Sequence, residues 1–187
     1  MKIAFIGTHG VGKTILCLDF ASLLKKHNYT VSIIAEVTRE AVKQGLPINE
    51  ETTVAAQGWI LLSQMAKEIE AEHESEYVIC DRSVIDNYIY MLAKFESEKF
   101  YEKMVLEWIK IHNYDFLFKV PISNKDITKD GVRSTNIQFQ KKIDFLLNEF
   151  LEKNNIEHIK IPLIENQNEW LEFVKNKVIK QKFLDEF

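Results

Sequence analysis

Short apolar runs alternate along the chain with longer segments in which apolar residues recur at helical spacing. The short runs are closed by glycine or polar residues, a pattern typical of buried strands. Five runs have this character: residues 2–6, 31–35, 77–80, 115–120 and 156–161. Because helical segments separate them, they are expected to pair in parallel through right-handed crossovers. The pattern predicts an α/β protein, a three-layer α/β/α sandwich with a five-stranded parallel sheet.

The segments between the runs predict the helices of the two outer layers. Helical spacing of apolar residues, with polar residues between them, is the expected pattern for a helix that covers one face of a sheet. The predicted helices are 14–26, 38–44, 49 to about 72, one or two between 84 and 111, one across 139–150, and 165 to about 180. No linker or internal repeat interrupts them, so the whole chain, 1–187, is predicted to form a single domain.

Composition limits the classes of partner. The formal net charge is −4, with 46% hydrophobic and 28% charged residues, which excludes a disordered chain. No global positive field attracts a nucleic acid or an anionic membrane. The two cysteines form no disulfide framework. With no signal-peptide pattern and no transmembrane segment, the sequence predicts a cytoplasmic protein that does not bind membranes.

Glycine is scarce, and half of it is concentrated in one place. Three of the six glycines fall in the segment 7–14, GTHGVGKT, which matches G-x-x-x-x-G-K-[ST] between a predicted strand and a predicted helix. Such a loop turns its amide groups toward phosphates, and the helix N-terminus adds a positive dipole. The residues predicted to bind the nucleotide are Gly7, His9, Gly10, Val11, Gly12, Lys13, Thr14 and Ile15. Lys13 is expected to reach the β and γ phosphates, and Thr14 to bind Mg²⁺.

ATP is the expected nucleotide. Because the loop contacts phosphates and not the base, the motif does not distinguish ATP from GTP, and GTP stays open.

A pair of polar residues, Asp81 and Arg82, follows the third apolar run. A carboxylate beside the phosphate loop can hold the hydrated Mg²⁺, and a guanidinium there can neutralise the reacting phosphates and contact the substrate. The alternative makes Asp81 a helix N-cap and Arg82 its surface ion-pair partner.

Glu36 follows the second run, where it could take a proton from an attacking hydroxyl or orient the acceptor. Arg39, three residues further on, suits an anionic acceptor. The alternative is a capping cluster with Glu40 paired to Lys43 on a solvated face. On the long helix, Gln57 and Gln64 share a face and could hydrogen-bond an acceptor; the alternative is that both are surface residues.

A basic segment follows the fourth run. From 119 to 142 the chain carries six basic and two acidic residues, within a protein of net negative charge. A basic, glycine-containing loop at about 122–135 is what a lid over ATP phosphates requires, and Arg133 is the predicted lid arginine. The alternative is a solvated connection.

Taken in order, KIAFIGTHGVGKT, AEVTREAV, AAQGWIL, VICDRSVIDNYIY and DGVR resemble the small P-loop ATPase and kinase family that includes the ribosylnicotinamide kinase domain. That family neighbours the thymidylate and deoxynucleoside kinases. The resemblance implies ATP with Mg²⁺ and phosphoryl transfer to a nucleoside or nucleotide-like acceptor. It assigns Lys13 and Thr14 to ATP, matches Asp81 and Arg82 to the strand-end motif, and matches Glu36 and Arg133 to the acidic residue after the second strand and the lid arginine.

The sequence therefore predicts an ATP- and Mg²⁺-dependent kinase acting on a small nucleoside or nucleotide acceptor. In-line transfer of the γ-phosphoryl group would use Lys13, Glu36, Arg82 and Arg133 as catalytic residues. Two alternatives remain: a nucleotide-dependent switch acting through a protein partner, and a kinase for polynucleotide ends, which the overall acidity disfavours. The oligomeric state stays open, with a homodimer as one option.

Overall fold

The computed structural model describes residues 1–96, 99–122, 134–163 and 167–185. Its core is a sheet of five strands in the order β2-β3-β1-β4-β5, and every neighbouring pair is parallel. The strands are β1 Lys2–Ile6, β2 Val31–Ile34, β3 Tyr77–Asp81, β4 Phe116–Lys119 and β5 Ile159–Lys160. The predicted α/β fold class and five-stranded parallel sheet are confirmed.

Seven α-helices lie on the described part of the chain, six of them between strands and the seventh after the last strand. They are α1 Lys13–Lys26, α2 Thr38–Lys43, α3 Val54–Glu74, α4 Val84–Phe95, α5 Lys99–Ile111, α6 Ile137–Lys153 and α7 Gln167–Asp185. None of the helices in the described ranges is long and apolar enough to cross a bilayer.

Both faces of the sheet are covered, as a parallel sheet requires. Along β1, Ala4 and Ile6 pack into a core with residues of α3, α4 and α6, whereas Ile3 and Phe5 pack into a second core with residues of α1 and α7. All four side chains are fully buried. The alternation of side chains along a strand thus places β1 in the middle of three layers.

Several predicted boundaries were wrong. The long helix begins at Val54 and not at residue 49, because the Thr53 hydroxyl accepts a hydrogen bond from the Ala56 amide (3.1 Å) and caps it there. Asn49–Glu51 form a separate 3-10 helix. The fifth strand is only two residues long, with Ile159 and Lys160 paired to Phe118 and Lys119 of β4.

Two glycines outside the phosphate loop have different structural roles. Gly45 ends α2 with a φ of 75° and open space around it, so it stops the helix. Gly58 lies where an added Cβ would be 2.6 Å from the Tyr101 hydroxyl, so it permits close packing of α3. Cys17 and Cys80 are both buried free thiols.

Candidate active site

Three strands end at one edge of the sheet and bring the predicted residues together. β2 and β1 are the two neighbours of β3, so Glu36, Asp81 and the loop after Ile6 meet at the carboxyl edge. One cleft at this edge is lined by the phosphate loop together with Glu36 and both strand-end residues of β3. Its lining residues are His9, Gly10, Val11, Gly12, Lys13, Thr14, Glu36, Asp81 and Arg82.

The loop backbone explains why glycine stands at its fixed positions. Gly7, Gly10 and Gly12 have φ angles of 138°, 74° and 93°, which residues with a Cβ rarely adopt. At Gly7 an added Cβ would lie 2.9 Å from the Val120 carbonyl oxygen. Gly12 occupies the N-cap of α1 without any side-chain cap, so the amides of the first turn face the cleft with the positive end of the helix dipole. This cradle fits a polyphosphate.

Lys13 is buried inside the loop. Its Nζ donates to the carbonyl oxygens of Gly7 (2.8 Å) and Thr8 (2.5 Å). Burial, and then the nearby charge of Arg82, lower the pKa of Lys13 from 10.5 to about 8, although Asp86, Asp81 and Glu36 act to raise it. The ammonium group is therefore charged at neutral pH and poised to lose its proton in mild alkali.

Thr14 and Asp81 fit a magnesium site. The Thr14 hydroxyl donates to Asp81 Oδ2 at 2.6 Å, so two oxygen groups of the type that Mg²⁺ binds lie side by side in the cleft. Burial, and the charge of Glu36, raise the pKa of Asp81, while Lys13, Thr14 and Arg82 act to lower it. A cation in this position would offset the burial of the carboxylate.

Arg82 leaves the end of β3 with a φ of 88°, an uncommon value for a residue with a side chain. Its Nε and Nη2 atoms lie 2.9 and 2.8 Å from Glu36 Oε1, and both side chains are about 95% buried. Burial acts to lower the pKa of Arg82, but the charge of Glu36, with those of Tyr90, Asp86 and Asp81, raises it well above its ordinary value. The surface ion pair considered for Arg82 is wrong, since its partner is Glu36 and both are buried.

The capping role considered for Asp81 is also wrong. Ser83 is the N-cap of α4 and forms a capping box with Asp86, in which the Ser83 hydroxyl accepts from the Asp86 amide and the Asp86 carboxylate accepts from the Ser83 amide. Asp86 Oδ1 also accepts a hydrogen bond from the Gly7 amide at 2.8 Å. One buried carboxylate thus fixes the start of α4 and the start of the phosphate loop at once.

A second cleft adjoins the first on the side of Glu36, Arg82 and His9, which line both. Every residue that lines it carries a polar group, and the lining residues are His9, Glu36, Thr38, Asn49, Gln57, Arg82, Asn87 and Tyr90. Gln57 is buried, with its Nε2 donating to the Thr52 hydroxyl at 2.9 Å. The Asn87 Nδ2 atom is buried and has no hydrogen-bond partner among the described residues. A buried unpaired donor is costly unless a ligand accepts from it.

The remaining predicted residues lie further from these clefts or outside the described ranges. Arg39 is partly exposed on α2, with its Nε 3.6 Å from Glu36 Oε2. The Ile15 side chain is 52% exposed on α1 and does not line the phosphate cleft. Gln64 donates to Glu68 in a separate buried cluster. Arg133 and most of the segment 122–135 lie outside the described residues.

The solvated alternative for the segment after Glu36 is wrong in its pairing, since Glu40 contacts Lys67 (3.0 Å) across α2 and α3. Sequence reasoning missed three residues of α4 that lie at the site: Asp86, Asn87 and Tyr90. For Asp86 and Asn87 the available signal was two polar side chains within an otherwise largely apolar helix, most of whose side chains are buried.

This fold and cleft define a P-loop nucleotide-binding protein with the architecture of small P-loop kinases. The family model described as an AAA domain, AAA_28, matches residues 2–168, and the chain belongs to that family. The predicted resemblance to small P-loop kinases near the deoxynucleoside kinases is confirmed at this level.

Solved structures with the same fold include deoxyadenosine kinase from M. mycoides. The structure with the products dCMP and a flexible dCDP bound has a TM-score of 0.70 at 20% identity, covering 96% of this chain and 100% of that chain. The structure with bound dATP has a TM-score of 0.65 at 18% identity, covering 95% and 99%. At these low identities, the structural likeness shows a shared fold alone. No curated protein sequence matches the chain at a significant level.

Proposed function

We propose that the protein is an ATP-dependent kinase that transfers the γ-phosphoryl group to a hydroxyl of a nucleoside or nucleotide-like molecule. The observation that carries the proposal is the position of the Glu36 carboxylate, which lines both clefts and is held by Arg82. A carboxylate between a phosphate-binding cleft and a second polar cleft is where a kinase needs a group to accept the proton of its acceptor.

The phosphate side would bind ATP through the loop amides and Lys13. Mg²⁺, held by Thr14 and Asp81, would neutralise charge on the phosphate oxygens. Lys13 would exchange its contacts with the loop carbonyls for phosphate oxygens, and Arg82 would neutralise charge on the transferring group.

The acceptor molecule would bind in the second cleft. The acceptor hydroxyl would give its proton to Glu36 while its oxygen bonds to the γ-phosphorus. The bond from that phosphorus to the β–γ bridging oxygen breaks, and ADP leaves with that oxygen. Positioning and charge neutralisation would supply most of the acceleration.

The nucleoside class is supported by the amides of the second cleft. Gln57 and Asn87 offer the donor and acceptor groups that read the polar edge of a base, and the buried Asn87 Nδ2 lacks any other partner among the described residues. The M. mycoides kinase with the same fold holds dCMP. These observations favour a nucleoside acceptor over a purely aliphatic alcohol.

The test is incubation with γ-labelled ATP and Mg²⁺ against nucleosides, nucleoside monophosphates, and DNA and RNA ends. We expect label in a nucleoside or nucleotide product, reduced at least a hundredfold in Glu36→Gln. Glu40→Gln is the matched control, because Glu40 pairs with Lys67 on the surface and should leave transfer unchanged. Label only in inorganic phosphate would favour the switch, and label on a polynucleotide end would replace the acceptor class.

A further inference from the structure

His9 occupies a variable position of the phosphate-loop motif, yet its side chain is almost completely buried (2% exposed). Its Nδ1 atom lies 2.8 Å from the Tyr90 hydroxyl, and its ring stacks on Phe139 at 5.8 Å. Its backbone carbonyl accepts a hydrogen bond from Gln140 Nε2 at 2.8 Å. His9 therefore joins the phosphate loop to α4 and α6, which phosphate binding by backbone amides does not require.

Tyr90 carries this contact onward to the site. The Arg82 guanidinium lies over the Tyr90 ring at 4.9 Å, within the range of a cation–π contact. The same guanidinium holds Glu36 through Nε and Nη2. Two contacts in series thus link the His9 ring to Arg82 through Tyr90, and a third contact links Arg82 to Glu36. His9, Tyr90, Arg82 and Glu36 all line the second cleft.

We propose that His9 is a positioning residue whose hydrogen bond to Tyr90 holds the Tyr90 ring beneath Arg82. The phosphate loop thereby fixes the guanidinium that orients Glu36, so the nucleotide side and the acceptor side keep one relative geometry. The inference rests on the proposed kinase function for what the Arg82–Glu36 pair does, but the mechanical connection itself does not depend on any acceptor.

If the His9 ring served only to pack against its neighbours, substitutions at position 9 would have different effects. If stacking on Phe139 were the whole role of the ring, phenylalanine at position 9 would serve as well. If the hydrogen bond matters, asparagine should serve better, because its amide stands near the place of Nδ1 and can donate or accept. Tyr90→Phe removes the same hydrogen bond from the other side, together with the contact of the Tyr90 hydroxyl with Arg82, and leaves the ring that Arg82 covers.

The first measurement follows the Arg82 Nε–H signal by NMR, in protein labelled at arginine with ¹⁵N, without any acceptor. We expect hydrogen exchange of this proton to be at least fivefold faster in His9→Phe and Tyr90→Phe than in wild type, the size expected for loss of one buried hydrogen bond. His9→Asn should stay near the wild-type rate. His73→Phe, on the exposed last turn of α3, is the control and should not change it.

The double variant His9→Phe/Tyr90→Phe completes the cycle. Because Tyr90→Phe already deletes the hydrogen bond that His9→Phe removes, the double variant should exchange no faster than Tyr90→Phe alone. An unchanged Arg82 signal in His9→Phe, or additive effects in the double variant, would overturn the positioning role whether or not the protein is a kinase.

The second measurement is kinetic and uses the acceptor found in the labelling panel. His9→Phe and Tyr90→Phe should lower kcat about five- to tenfold, with the KM for ATP within threefold of wild type, since the effect acts through Arg82 and Glu36. A rise in the KM for ATP at constant kcat would contradict the proposal. If no acceptor is labelled, the kinase proposal fails, and the exchange measurement still decides the role of His9.

Discussion

The Arg82 guanidinium places two nitrogens on a single oxygen of Glu36, with Nε at 2.9 Å and Nη2 at 2.8 Å. The two residues follow neighbouring strands, so this pair ties the ends of β2 and β3 together. Removing one partner of a buried ion pair leaves the other charge uncompensated and strongly destabilises the protein. The Glu36 carboxylate thus helps to join the two strand ends and is also the group that we propose accepts the proton of the acceptor hydroxyl.

Replacing Glu36 by glutamine tests the role of this ion pair. Glutamine retains an oxygen that can accept from Arg82, so the chain should fold, while kcat for phosphoryl transfer should fall by about two to three orders of magnitude. Circular dichroism and steady-state kinetics measure the two effects. Glu36→Ala should in addition lower the free energy of unfolding by about 3–5 kcal/mol, because Arg82 would stay buried without its partner. Full transfer by Glu36→Gln would rule out the proton-accepting role.

Lys13 should give nucleotide binding a pH dependence. Its pKa is lowered by burial, and next by Arg82, from 10.5 to about 8, so the ammonium that meets the phosphates is lost as pH rises through 8. We expect the Kd of a fluorescent ATP analogue to rise up to tenfold per pH unit above that point. Between 8 and 10.5 the unfolded chain holds more protons than the folded one, so this group adds stability as pH rises and cannot cause the loss by unfolding. A Kd constant from pH 7 to 9.5 would contradict the assignment.

Lys13→Ala provides the companion result. Transfer should fall by about three orders of magnitude, because the side chain that meets the β and γ phosphates is gone. The thermal unfolding midpoint should not fall below that of wild type, because the lowered pKa means that the charged Lys13 side chain opposes folding at neutral pH. Undiminished transfer by this variant would remove the central catalytic assignment.

Asp81→Asn should weaken the binding of Mg²⁺. The amide keeps a hydrogen bond with Thr14 but removes the charge that would attract the cation. Titrating activity with Mg²⁺ should show a half-saturating concentration at least tenfold above that of wild type. Asp19→Asn, on the exposed side of α1, is the control. An unchanged Mg²⁺ requirement in Asp81→Asn would exclude Asp81 from the cation site.

Two glycine variants separate backbone strain from steric conflict. Gly7→Ala places a Cβ 2.9 Å from the Val120 carbonyl oxygen, so the loop must move and nucleotide affinity should fall at least tenfold. Gly45→Ala also has a positive φ, but no neighbour lies within 4 Å. It should cost about 1 kcal/mol of stability and leave nucleotide affinity unchanged. Equal affinities in both variants would show that the cradle does not need Gly7.

The phosphate loop and the order of elements could be predicted because their chemistry is local. Gly7, Gly12 and Lys13 stand at fixed spacing between a strand and a helix, and parallel strands must end at one edge. The convergence of Glu36 and Asp81 on that edge follows from the same rule. What the pattern did not contain was which strands are neighbours, and so the direct pairing of Arg82 with Glu36 remained hidden.

The contacts of α4 could not be read from local sequence. Ser83 and Asp86 form a capping box that sequence spacing alone could suggest, but the hydrogen bond from the Gly7 amide to Asp86 spans 79 residues and depends on how α4 packs over β1. Tyr90 reads as another apolar residue of an amphipathic helix until its hydroxyl is seen beside His9. Tertiary packing, and not local preference, assigns these residues to the site.

The most direct test of the central claim is a single-turnover experiment with excess enzyme, γ-labelled ATP and Mg²⁺, quenched over time with and without the acceptor from the labelling panel. Our account predicts that, with acceptor present, nearly all label appears as a phosphate monoester of the acceptor, and that Glu36→Gln slows this step at least a hundredfold. Release of the label as inorganic phosphate, at one rate with or without acceptor, would contradict it.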